Sequence, residues 1–109
     1  MYVQFQELVK LAEILRGQYG CHWDKTQKLR DYIEHLQNEL NEVKEAIEKQ
    51  DYNNLREELG DMLFNLVMTA QIAKEEGHFS IDDVIIGIYT KIVFGGKKLK
   101  TAEEVLEIW

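Results

Sequence analysis

The segment between Asp51 and Gly77 constrains most what this chain can fold into. At about 100° per residue, its Met62, Leu63, Phe64, Leu66, Val67 and Met68 cover nearly every direction around a helix. A helix that is apolar all round is a buried helix, so the rest of the chain must supply elements to surround it. No proline occurs anywhere in the sequence, which removes the commonest helix breaker and suits partners that are themselves helices. Two-residue alternation is absent over the long segments, which argues against strands.

The partners can be read from their periodicity and end signals. A first helix is expected from Gln4 to Arg16, with Phe5, Leu8, Leu11, Ala12 and Leu15 at helical spacing and Gly17 and Gly20 ending it. Asp24 followed by Gln27 resembles a capping box and predicts a second long helix over Thr26 to Lys49. Ile33, Leu36, Leu40, Val43 and Ile47 form its apolar stripe. Asp51 suits the N-cap of the third helix, which Gly77 stops after Glu76. Ser80 with Asp83 starts a fourth through Ile85, Ile88, Ile92 and Val93, and Gly95-Gly96 breaks it. Thr101 with Glu104 opens a short last helix ending at Trp109. The short connections favour an antiparallel arrangement. The expectation is an all-α, four-helix-bundle-like single domain over residues 1–109 with a short C-terminal helix.

Composition narrows the class. Hydrophobic residues make up 45% of the chain and charged residues 30%, a balance that folds rather than stays disordered. A formal net charge of −7 argues against a nucleic-acid polymer as partner, though not against a nucleotide whose phosphates a metal neutralises. The single cysteine, Cys21, forms no internal disulfide and suits a reducing compartment. Met1 to Phe5 lacks the features of a signal peptide, and no apolar run is long enough for a membrane span. A cytoplasmic location without a membrane partner is expected. Such a short chain with such apolar helices should bury surplus surface in a homodimer or homotetramer, whose second subunit would add to the site.

The chemistry lies where the apolar pattern breaks. Glu58, Asp61 and Asn65 share one stripe of the third helix, within roughly 60° of each other. Bare carboxylates on a buried helix are costly, so the stripe either reaches solvent or meets something charged. On the second helix Glu39 sits about 80° from the centre of the apolar stripe, with Glu42 one step further round. Ala46 beside them leaves space. Glu39 with Glu42, and Glu58 with Asp61, are spaced i,i+3, which puts each pair on neighbouring turns of one face. If the two helices pack antiparallel through the turn near Asp51, the pairs face each other. Converging carboxylates without Cys or His suit Mg²⁺, Mn²⁺ or Ca²⁺ rather than zinc, and metal-assisted attack of water on a phosphoryl group follows. Acidic helix residues are usually a solvated face, and Glu7, Glu13, Glu45, Glu48, Glu103 and Glu107 are read that way. The conjunction of two pairs on adjacent helices sets the four apart.

In order, the residues run Asn38-Glu39-Leu40-Asn41-Glu42 and Glu57-Glu58-Leu59-Gly60-Asp61, after Cys21-His22-Trp23-Asp24 and Gln27. This resembles the signature of the MazG-type, all-α nucleoside triphosphate pyrophosphohydrolases, as do Ala73 through Ser80 and Thr101 through Val105. The resemblance implies Mg²⁺-dependent cleavage of nucleoside triphosphates between the α and β phosphates, with Mn²⁺ as substitute, serving nucleotide-pool clean-up. It implies that Glu39, Glu42, Glu58 and Asp61 are metal ligands and the catalytic set. Lys91 would reach the triphosphate, Trp109 would stack against the nucleotide, and Trp23 would line its pocket. Asn38, Glu57 and Asn65 complete the expected nucleotide-binding residues.

Two departures stand beside the match. Asn38 occupies the signature's leading Glu position. After Lys91 the family often carries a run of Arg and His, whereas this chain reads Ile92-Val93-Phe94-Gly95-Gly96-Lys97-Lys98. Lys97, Lys98 or Lys100 would have to substitute. A catalytically weak nucleotide- or metal-binding module, or a structural helical interaction protein, are therefore the alternative readings. Cys21 reads as structural, and His35, one turn before Glu39, as a surface histidine rather than a phosphate contact. Tyr89 and Phe94 read as core or interface.

Overall fold

The computed structural model describes residues 2–94. The break expected at Gly95-Gly96, the last helix, Trp109 and the lysines at 97, 98 and 100 lie outside the described residues. Among the described residues five helices follow in order: α1 (Tyr2–Arg16), α2 (His22–Thr26), α3 (Leu29–Glu48), α4 (Tyr52–Glu75) and α5 (Ile81–Phe94). The protein is all-α, with no strand among the described residues.

Most helix ends lie where the sequence put them. The Asp51 carboxylate accepts from the Asn54 amide at 3.2 Å and opens α4. Gly77 at φ 82° closes it, with the His78 amide donating back to the Ala73 carbonyl at 2.9 Å. Ser80 and Asp83 cap α5 reciprocally: the Ser80 amide donates to Asp83 Oδ2 at 2.9 Å and the Asp83 amide to Ser80 Oγ at 3.4 Å.

The expected second helix is corrected. It starts later, at Leu29, because Gln27 and Lys28 are both extended, and the separate short α2 precedes it where a loop was expected. The capping acid is Asp31, which accepts from the Lys28 amide at 2.8 Å, and Asp24 lies inside α2 instead.

α4 is the common element and packs against α1, α3 and α5. Ala12 of α1, Tyr32 of α3 and Val67, Met68 and Ile72 of α4 form the core cluster, with Phe5, Leu8, Val9, Leu29 and Phe64 around it. Each large side chain buried here contributes about 1.5–3 kcal/mol against leaving it in water.

The face that α3 turns inward differs from the expected stripe. Tyr32, Val43 and Ala46 are buried and Leu36 and Glu39 half-buried, a four-three-four-three spacing that keeps one seam along α4. Ile33, Leu40 and Ile47 point out instead, at 62%, 58% and 55% exposure. The small Ala46 and Val43 let the backbones approach, and Tyr32 fills the core at the far end of the seam. The rotation brings Glu39 into the seam.

Candidate metal centre

α3 and α4 are joined by a tight turn, so they run antiparallel and the middle of one faces the middle of the other. Gln50 makes the turn at φ 56°, and the Asp51 amide closes α3 by donating to the Ala46 carbonyl at 3.0 Å. Glu39 on α3 thereby meets Glu58 and Asp61, which stand i,i+3 on α4. One carboxylate oxygen from each of the three lies within 4.8 Å of the others, with Glu39 and Glu58 half-buried and Asp61 exposed.

Among the described residues no ion pair relieves these carboxylates. Glu39 Oε2 is buried and accepts no hydrogen bond among the described residues. Leaving a buried polar atom unpaired costs about 1–3 kcal/mol, and more when it is charged. Glu58 is held above the ordinary carboxylate range, first by partial withdrawal from water, then by Glu39 beside it and by the charges of Asp61 and Glu42. A hard divalent cation would satisfy the orphaned oxygen and relieve the repulsion together. The all-oxygen donor set fits Mg²⁺ or Mn²⁺.

Other sequence-predicted residues fall at varied distances from this cluster. Glu42 is exposed, one turn along α3 and outside the close group, although its charge acts on Glu58. Asn38 and Glu57 are exposed on α3 and α4. Asn65 is half-buried on α4, and its backbone carbonyl accepts from Thr69 Oγ1 at 2.7 Å. Lys91 is exposed in the last turn of α5. Trp23 is exposed on α2, its ring tilted 44° against His35 at a centroid distance of 5.3 Å. Trp109 lies outside the described residues.

Two residues gain weight that sequence reasoning did not give them. His35 is half-buried, with Nε2 2.8 Å from Gln27 Oε1 and its ring edge-on to Tyr32 at 4.9 Å. Arg16 pairs with Glu75, 59 positions away, at 2.8 Å. Its place in the last turn of α1 was legible, but no local pattern announces a partner that distant.

This all-α chain, with acidic residues facing one another across two antiparallel helices, belongs to the MazG family: the MazG nucleotide pyrophosphohydrolase domain matches its residues 27–99. It is 41% identical over 91 residues to the nucleoside triphosphate pyrophosphohydrolase/pyrophosphatase MazG of Thermotoga maritima, covering 84% of this chain and 36% of that protein. It is 36% identical over 113 residues to the nucleoside triphosphate pyrophosphohydrolase of Escherichia coli K12, covering 97% and 43%. The uncharacterized protein YabN of Bacillus subtilis is 37% identical over 115 residues, covering 100% and 24%. The chain thus spans less than half the length of these curated relatives. A crystal structure of a MazG-related protein from Thermotoga maritima superposes with a TM-score of 0.70 at 28% identity, covering 95% of this chain and 94% of that one.

Proposed function

We propose that this chain is a Mg²⁺-dependent nucleoside triphosphate pyrophosphohydrolase domain, releasing a nucleoside monophosphate and pyrophosphate and so removing unwanted nucleotides. The carrying observation is the cluster of Glu39, Glu58 and Asp61 with its unpaired, buried Glu39 oxygen. These three would hold the cation, Mg²⁺ or in its place Mn²⁺, with Glu42 as a fourth ligand from the rim of α3. When bound, the ion supplies charge neutralisation and Lewis-acid polarisation at the phosphates.

The chain's own residues do the rest. One carboxylate of the cluster takes the proton of the attacking water as the α–β phosphoanhydride bond breaks. Lys91 contacts the polyphosphate as a point charge. Trp23 and Trp109 flank the base, a role their indole faces suit. Asn38, Glu57 and Asn65 border the nucleotide. The assembly is a homodimer or homotetramer, supported by the outward Ile33, Leu40 and Ile47 and by Val84, Ile85, Ile86, Ile88, Ile92 and Phe94 of α5, all exposed in one copy.

A binding module with weak turnover is the second reading, because Lys91 is the one cation among the residues of α5. Pyrophosphate release from a panel of (d)NTPs, with and without metal, separates the two. Nucleotide binding without product over hours would favour the module.

A further inference from the structure

α2 is the element least able to hold itself. It has five residues, none of them buried, so neither its length nor apolar packing fixes it. Yet it carries Trp23, whose ring lies against His35 of α3.

Polar contacts hold it from two sides. Arg16, its side chain only 9% exposed, donates from Nη1 to the carbonyls of Asp24 and Gln27 at 2.5 and 2.7 Å. Asp24 lies in α2, where its carbonyl also accepts from the Gln27 amide at 3.3 Å, and Gln27 is the C-cap, so Arg16 braces the last turn of α2. The other edge of the guanidinium grips Glu75, the last residue of α4, with Nη2 at 2.8 Å from Oε1 and Nε at 3.1 Å from Oε2. One side chain at the end of α1 thus ties the ends of α2 and α4 together. Across α2, Gln27 Oε1 meets His35 Nε2 at 2.8 Å and the Trp23 ring leans on the His35 ring. His35 precedes Glu39 by four residues, so the two share a face on successive turns.

We infer that Arg16 is a positioning residue: by latching α2 to α4 it holds Trp23 and His35 as a wall for the nucleoside end of the substrate beside the acidic centre. The inference rests on the nucleotide reading above. Arg is suited to the task because its planar fork serves two carbonyls and a carboxylate at once, which an ammonium does not. Glu75 is the lesser partner, since its loss leaves the α2 carbonyls capped.

The test compares wild type with Arg16→Met, Arg16→Lys and Glu75→Gln. It reads pyrophosphate release from the best (d)NTP, competitive inhibition by inorganic tripolyphosphate, and backbone hydrogen exchange. In Arg16→Met, KM for the nucleotide should rise about tenfold with kcat within about threefold, the size of one lost stacking surface. Tripolyphosphate, having no base, should inhibit as before. Exchange should quicken in residues 18–28 and stay unchanged in α3 and α4. Arg16→Lys should fall between, and it serves alone if Arg16→Met does not fold. Unchanged exchange in residues 18–28, or an unchanged KM with α2 loosened, would overturn the inference. So would equal weakening of nucleotide and tripolyphosphate with exchange faster throughout, which marks Arg16 as merely structural. An active wild type with indifferent variants refutes the positioning role alone; an inert wild type refutes the hydrolase reading and takes this inference with it.

Discussion

Glu39 and Glu58 set two carboxylates against each other across the α3–α4 seam, and one of the Glu39 oxygens is buried without a donor. Their repulsion should lower the stability of the metal-free protein, and a cation held between them would relieve it. Mg²⁺ should therefore raise the unfolding temperature, since a ligand bound only by the folded state at 100 times its Kd contributes about 2.7 kcal/mol. Glu39→Gln and Asp61→Asn should abolish turnover, fold normally or slightly more stably in EDTA, and lose the Mg²⁺ response. Thermal unfolding with and without metal reads all of this. Variants that keep both activity and the Mg²⁺ shift would remove the metal site from the account.

The acid–base behaviour should show two opposed limbs. Glu75 is held below the ordinary range, first by its hydrogen bond from Arg16 and then by the Arg16 charge, against an opposing effect of burial. Its stabilising contribution is present above the unfolded pKa and is lost as pH falls through the lower, folded one. Glu58 is raised, so its contribution is complete below the unfolded pKa and is lost as pH rises through the folded one. Chemical denaturation across pH 3–8 in EDTA should show both, with Glu75→Gln removing the acid limb and Glu58→Gln the other. Mg²⁺ should flatten the Glu58 limb alone.

The α3–α4 turn holds a residue that is poorly suited to it. Gln50 sits at φ 56°, the left-handed region that costs a side chain about 1–2 kcal/mol. Gln50→Gly should stabilise the protein by about 0.5–1 kcal/mol net of the extra freedom glycine gives the unfolded chain. A denaturant midpoint that moves down would mean the Gln50 side chain makes a stabilising contact.

The outward apolar rows should assemble copies of the chain. Sizing with light scattering at micromolar concentration should give a dimer or tetramer, and Ile86→Glu, at a site 62% exposed in one copy, should shift it to smaller species. A wild type that stays monomeric would contradict the assembly.

The helix ends were the most legible part, because Asp51, Gly77 and the Ser80–Asp83 box act within a few residues of themselves. The convergence of Glu39, Glu58 and Asp61 was legible too, since i,i+3 spacing fixes a shared face once the element is a helix, whereas Glu42, expected with them, falls outside the close group. The seam of α3 was not. Ile33, Leu40 and Ile47 are larger and more apolar than Ala46 and Val43, so a count of hydrophobicity centres the stripe on the wrong side. Close approach of two backbones favours the small residues, and that became visible only with α4 in place. Arg16 was hidden for a similar reason: its carboxylate partner comes from the far end of another helix.

Cleavage at the α–β bond should require the metal. The direct measurement follows products from canonical and modified (d)NTPs by ³¹P NMR, in Mg²⁺, Mn²⁺ or EDTA. A metal-dependent pyrophosphohydrolase gives equal amounts of monophosphate and pyrophosphate in metal and none in EDTA. Orthophosphate with a diphosphate, or no product from any nucleotide while the protein remains folded, would contradict it.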